Sequence, residues 1–244
     1  MAKNFRIYTK EELVIGKTIT LNEEQTHYLK NVVKYSINDE LICFDNQNGE
    51  FNCIIKEINK KNILIEVISQ NKPLTPCPDV WLLFAPLKKD NTDFVIEKAT
   101  ELGVKKIIPV NTRYTNSSNI KIERFIAQSI EASEQCRRTD LPEITPLTNL
   151  SDILNNWDSS RTLFFMDETL NSKPFIEVLK NTKSPKSAIL IGPEGGFSKE
   201  ELSNLRNLNF AVGATLGPRI LRAETAVCAS LSCWQSILGD WSKI

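Results

Sequence analysis

Two stretches near the end of the chain decide how it reads: Ile191-Gly192-Pro193-Glu194-Gly195-Gly196-Phe197-Ser198, and Leu216-Gly217-Pro218-Arg219-Ile220-Leu221-Arg222-Ala223-Glu224-Thr225-Ala226. Each follows an apolar run and precedes a helical pattern. Ser187-Ala188-Ile189-Leu190-Ile191 has the texture of a short buried strand. Gly192 and Pro193 stop it, and Gly195-Gly196 supplies two positions that take positive φ or admit another molecule close to the backbone. Ser198 with Glu201 three residues on is a capping box, so a helix begins there. In the second stretch Ala214-Thr215-Leu216 is the strand, and Val227, Leu231, Trp234 and Leu238 mark one apolar face of a last helix, suited to a core or to an interface. A strand, a bare glycine loop and a helix N-terminus form a common ligand-binding arrangement. Neither loop carries the P-loop or the dinucleotide fingerprint.

Working outward, strand and helix alternate through the second part of the chain. Strands are expected at 80–85, 106–110, 162–166 and 187–191, and helices at 91–102 closed by Gly103, at 122–137 with Ile122, Ile126, Ile130 and Ser133 on one face, and at 174–181. This alternation predicts a parallel α/β sheet. The first part reads differently, as short strands broken by polar turns. The clearest are 51–55 and 63–68, with a hairpin turn at 46–49 after 42–44, and one helix runs from Glu23 to Val33, started by Asn22. A small β-barrel carrying a helix is the expected result. Pro73, Pro76 and Pro78 favour an extended linker, so the expected division is a barrel at 1–72, a linker at 73–79 and a larger domain at 80–244.

The 244 residues include 30 basic and 30 acidic side chains, so net charge gives no pointer to nucleic acid and any such attraction must be local. Six cysteines form no C-x-x-C pair and His27 is the single histidine, which argues against a metal site. No signal peptide opens the sequence and no apolar run approaches bilayer length. A cytoplasmic protein with reduced cysteines and no membrane contact is expected.

The wording of the two glycine stretches closely resembles the last two signature motifs of the SPOUT superfamily of S-adenosylmethionine-dependent methyltransferases, in the form of the ribosomal RNA small-subunit methyltransferase E family. The resemblance extends over essentially the whole chain. Leu87-Lys88-Lys89-Asp90, the run from Ile96 to Val104, and Glu131-Ala132-Ser133-Glu134-Gln135-Cys136-Arg137-Arg138 with Pro142 and Glu143 all match. Arg6-Ile7-Tyr8, His27-Tyr28-Leu29 and Val32-Val33-Lys34 match more loosely, the family favouring histidine at Tyr28, arginine at Lys34 and glycine at Asn38. Arg113-Tyr114 stands where the family has an arginine-serine pair.

The resemblance implies a SPOUT-type α/β domain whose last helix makes a deep trefoil knot, a rare exception to the rule against threaded chains, preceded by a PUA-like, RNA-binding barrel. It implies a homodimer that uses S-adenosylmethionine, without metal, to methylate N3 of a uridine in the decoding region of 16S rRNA, within an assembled small ribosomal subunit. A SPOUT enzyme acting on another RNA such as tRNA, and an inactive RNA-binding module, are the alternatives. The cofactor would lie against Ile191, Gly192, Pro193, Glu194, Gly195, Gly196, Leu216, Gly217, Ile220, Leu221, Arg222 and Thr225, with Ile191, Leu216, Ile220 and Leu221 as apolar walls. Uridine N3 carries a proton that must leave, so Arg137, Arg138 and Arg222 are candidates to favour the anion, and Glu194 is the candidate base or the holder of a ligand amine. Lys88, Lys89 and Arg113, with Arg6 and Lys34 in the barrel, are the candidates for RNA phosphates.

Overall fold

The computed structural model describes residues 5–116, 120–169, 171–182, 184 and 186–241, the side chain of Lys89 excepted. They form two compact units, residues 1–76 with Ser133–Leu141, and Cys77–Ala132 with residues 142–244. Ser133–Leu141 thus groups with the first unit, where the sequence placed it in the larger domain.

The first unit is a five-stranded sheet in the order β1-β3-β4-β5-β2, formed by β1 (Arg6–Tyr8), β2 (Thr18–Thr20), β3 (Glu40–Phe44), β4 (Glu50–Ile58) and β5 (Ile63–Lys72). β1 runs parallel to β3, and the other ladders are antiparallel. The β3–β4 hairpin is built by Asp45, which is buried and accepts the backbone N–H groups of Leu13, Gln47 and Asn48. β5 continues to Lys72, four residues past the strand expected at 63–68 and up to the start of the expected linker, because Ser69, Gln70 and Lys72 still pair with β4. The helix begins at Asn22 as expected, its side chain and that of Gln25 forming a capping box, but α1 (Glu23–His27) is one turn long and continues as a wider π turn over Tyr28–Val32.

The second unit has a wholly parallel sheet in the order β11-β13-β10-β12-β6-β7-β8, with β9 also pairing β7. Its strands are β6 (Val80–Phe84), β7 (Lys106–Asn111), β8 (Glu143–Ile144), β9 (Thr148–Asn149), β10 (Thr162–Met166), β11 (Lys173–Pro174), β12 (Ser187–Ile191) and β13 (Ala211–Thr215). The helices are α2 (Lys89–Glu101), α3 (Ile122–Cys136), α4 (Leu150–Asn155), α5 (Phe175–Lys180), α6 (Lys199–Asn207) and α7 (Ala223–Ile237). Adjacent side chains on each strand serve opposite faces. Leu82, Phe164 and Ile189 pack with α2, α5 and α7, whereas Leu83, Phe165 and Leu190 pack with α4 and α6. Helices on both faces bury the central strands completely, which is why β12 reads as an unbroken apolar run.

One expected face holds and one is displaced. Trp234, offered for a core or an interface, is 1% exposed and belongs to the core beneath α7. On α3 Ser133 is buried as expected, but it is joined by Phe125, Ser129 and Ala132 while Ile126 is exposed, so the face predicted from the isoleucines is displaced. Among the described residues no helix is long and apolar enough to cross a membrane.

Candidate active site

Because every ladder of the second sheet is parallel, the carboxyl ends of its strands share one edge, the edge at which open α/β sheets bind ligands. Both glycine loops emerge there. β12 lies between β10 and β6, so the first loop leaves from the middle of the sheet, and the second leaves from β13 on the far side of β10.

The first loop is anchored at each step. The Ile191 carbonyl accepts the Ala85 N–H at 3.1 Å, and the Gly196 N–H closes a turn on the Pro193 carbonyl at 2.9 Å. The next amide, that of Phe197, donates to Glu168 Oε1 at 3.2 Å. Ser198 and Glu201 cap α6 reciprocally, and Glu201 Oε1 also accepts the Arg113 N–H at 2.8 Å, tying in the loop after β7. Its three glycines have three different reasons. Gly196 has φ +69°, and a Cβ there would collide with the Glu168 carboxylate. Gly192 and Gly195 lie outside the left-handed region, but a Cβ would meet the Phe197 ring at 3.1 Å in the first case and Tyr114 Cβ at 3.2 Å in the second. Of the two uses expected for this pair, Gly196 takes the positive φ, and Gly195 allows a close approach, here by Tyr114.

The second loop is open. Gly217 has φ +112° and no atom lies within 4 Å of the place a Cβ would occupy. Leu216 and Leu221 lean on the core, and Arg222 stands exposed at the N-cap of α7. Ile191, Leu216 and Leu221 supply apolar surface backed by the core, whereas Ile220 is 78% exposed and has no such backing. Pro193 is buried, and Glu194 and Thr225 are exposed.

Beside the first loop, Asp167 closes β10. Its N–H donates to the Ala214 carbonyl, and its side chain, fully enclosed, accepts from Thr169, Ser172 and Arg206. Burial alone would raise its pKa, but the hydrogen bonds from Thr169, Arg206 and Ser172 outweigh it and hold the carboxyl at about 2.

The remaining candidates divide. Arg113 and Lys88 are exposed in the second unit, Arg113 at the carboxyl edge and Lys88 at the start of α2; the side chain of Lys89 lies outside the described residues. Arg6, Lys34, Arg137 and Arg138 belong to the first unit. Arg6 is corrected as an RNA contact: it is 7% exposed, pairs with Glu50 at 2.6 Å, donates to the Ser133 and Arg138 carbonyls, and lies over the Phe44 ring. Its guanidinium is committed inside the unit. Arg138 is corrected as a catalytic cation on the same ground, being buried and paired with Asp140 at 3.0 Å. Arg137 is exposed with φ +63°, and Lys34 is exposed with φ +59°. Sequence reasoning missed Tyr114, Asp167 and Glu168. The one signal available for the last two was their place directly after the apolar strand Thr162–Met166, the position that Gly192 holds after β12.

The edge so assembled offers free backbone at Gly217, apolar surface, exposed cations at Arg113, Arg219 and Arg222, and an exposed carboxylate at Glu194. Comparison with known proteins agrees with this picture. Residues 74–235 match the family described as RNA methyltransferase domain, and residues 21–68 match RNA methyltransferase PUA domain. The chain is 34% identical to ribosomal RNA small subunit methyltransferase E of Buchnera aphidicola subsp. Schizaphis graminum, covering 97% of this chain and 98% of that one. It is 31% identical to the protein of the same name from Rickettsia conorii, covering 93% of each. Among solved structures it is similar to a ribosomal RNA small subunit methyltransferase E from Neisseria gonorrhoeae bound to S-adenosyl methionine, with a TM-score of 0.88, 26% identity, and coverage of 98% of this chain and 99% of that one.

Proposed function

The chain belongs to the ribosomal RNA small subunit methyltransferase E family, and we propose that it uses S-adenosylmethionine to methylate N3 of a uridine in the decoding region of 16S rRNA. The observation that carries the reading is the meeting of two glycine loops, each running into a helix N-terminus, on the carboxyl edge of one parallel sheet. The edge fits the cofactor: Gly217 leaves open a space that any side chain would fill, with Leu216 and Leu221 beside it in the chain. Near-full coverage of small-subunit relatives favours rRNA over tRNA. The proposal includes the C-terminal trefoil knot, an RNA-binding role for the first unit, a homodimer, an assembled small subunit as substrate, and a cytoplasmic location.

When bound, the cofactor supplies an electrophilic methyl group on a sulfonium sulfur. The chain's own contribution is position, exclusion of water and management of one proton. Gly192, Gly195, Gly196 and Gly217 would present amides and carbonyls to it, against Ile191, Leu216 and Leu221. As the N3–carbon bond forms and the carbon–sulfur bond breaks, the N3 proton must pass to a base. We assign Arg222, exposed at the head of α7, to favour the uridinate, and the exposed Glu194 to accept the proton. At an effective dielectric near 20, a guanidinium about 5 Å from the anion favours it by roughly 3 kcal/mol, or about two pKa units. Arg222→Met should therefore bind cofactor almost as the wild type does, transfer methyl about 10- to 100-fold more slowly near neutral pH, and recover in part as pH rises. Glu194→Gln should lose rate without comparable recovery. Single-turnover rates against pH on small subunits lacking the modification decide the matter; a wild-type profile in both variants removes these residues from the chemistry.

A further inference from the structure

Resting on the reading just given, we infer that Tyr114 is the stacking platform for a base of the RNA, held against the glycine loop by the structure around it. Gly195 provides the first observation. Its backbone is not in the left-handed region, so the conformation does not require glycine. The requirement is spatial: Cβ, Cγ and Cδ2 of Tyr114 lie 3.2, 3.6 and 3.8 Å from where a Cβ would stand, so the tyrosine lies directly along the loop. The base of the Tyr114 side chain thus lies against bare backbone. The residue nevertheless remains 47% exposed, so a large part of this aromatic side chain faces solvent.

The turn that carries Tyr114 is stiff. Thr112 Oγ1 and Thr115 Oγ1 are 2.9 Å apart, the Thr112 N–H donates to Thr115 Oγ1 at 2.9 Å, and the Thr115 N–H donates to the Thr112 carbonyl at 3.2 Å. Between them the Arg113 N–H is fixed to Glu201, the residue that also caps α6. The backbone that carries the ring is therefore fastened to the same carboxylate that sets the start of the helix after the glycine loop. An aromatic ring on a fixed backbone, with only two side-chain torsions to order, costs little entropy when a base stacks on it, and the adjacent, exposed Arg113 suits the phosphate that such a base brings with it. A ring that only plugged the loop would be covered on both sides.

The test uses the full-length protein and small subunits lacking the modification, with initial rates read against substrate at saturating S-adenosylmethionine, and cofactor affinity read separately by calorimetry. Tyr114→Ala should raise KM for the subunit about 5- to 100-fold, the range that loss of one base stack produces, with cofactor affinity unchanged. Tyr114→Phe and Tyr114→Trp, which keep a π face, should stay within about threefold of wild type. An unchanged KM for Tyr114→Ala overturns the inference. So does a rise in KM matched by an equal loss of cofactor affinity, which would make the ring part of the cofactor pocket. A wild-type protein that binds the cofactor but leaves the subunit unmodified defeats the functional reading itself, and this inference with it.

Discussion

Gly196 is fixed from two sides, by its own φ of +69° and by the Glu168 carboxylate that stands where a side chain would begin. The same carboxylate accepts the Phe197 N–H at 3.2 Å, so one residue at the end of β10 both demands the glycine and holds the amide after it. A hydrogen bond to a charged acceptor contributes about 1.5–3 kcal/mol. If the loop it holds binds the cofactor, Glu168→Ala should raise KM for S-adenosylmethionine about 10- to 100-fold while kcat changes much less, because binding and not the methyl transfer loses its support. Glu168→Gln keeps an acceptor oxygen and should recover most of the affinity. Equal loss in both variants would mean that the charge acts on the ligand directly, and no loss in either would free the loop from Glu168. The local sequence gives only its place after an apolar strand, and the role itself exists only once the sheet order sets β10 beside β12.

The helix α6 is fastened at both ends to loops of the candidate site. At its start Glu201 joins Ser198 and Arg113, and at its last turn Arg206 reaches Asp167 at 2.8 Å. Asp167 has a folded-state pKa near 2 against an ordinary value of 3.8, and a depressed carboxyl adds stability that is complete above the ordinary value and is lost as pH falls through the folded one. The interval of nearly two units corresponds to about 2 kcal/mol. Wild-type protein should therefore lose melting temperature between about pH 4 and pH 2 more steeply than Asp167→Asn, which starts lower and lacks that titration; parallel melting curves for the two would remove Asp167 from the acid response. Legibility followed the same division between local and assembled properties. β10 and β12 could be read to the residue because apolar runs and flanking glycine or polar residues define them locally. The Ser198 cap and the face of α7 were equally local. The buried face of α3 was legible only at Ser133, because Phe125, Ser129 and Ala132 are buried among neighbours that the helix sequence does not name, and the three isoleucines gave a stronger but misleading periodicity. Within the site the glycine loops were legible, and Tyr114, Asp167 and Glu168 were not, since each acts on a segment at least twenty-eight residues away.

The chain divides by packing and not by sequence order. Ser133–Leu141 clusters with residues 1–76, and the connections within that unit are specific. Arg6 donates to the carbonyls of Ser133 and Arg138 at 2.7 and 2.6 Å, the Tyr8 N–H donates to Glu134, the Thr75 N–H donates to Thr139, and the Leu141 N–H donates to Asn46. Without the segment, the Arg6 guanidinium would keep Glu50 but lose two acceptors. Water would replace those acceptors, so the cost is that of the net hydrogen bonds lost, about 1.5–3 kcal/mol for each one to a charged group, a large share of what a unit of this size has in reserve. A fragment ending at residue 76 should accordingly be much less stable than the same fragment joined through a flexible linker to residues 133–141. Urea unfolding of the two measures the difference directly, and the expected gap in stability is several kcal/mol. In the intact protein, Arg6→Met should speed amide exchange across residues 133–141 and leave β12 as slow as in the wild type. Equal urea midpoints for the two fragments would show that the strands fold without the segment, and the division of the chain would then follow the sequence after all.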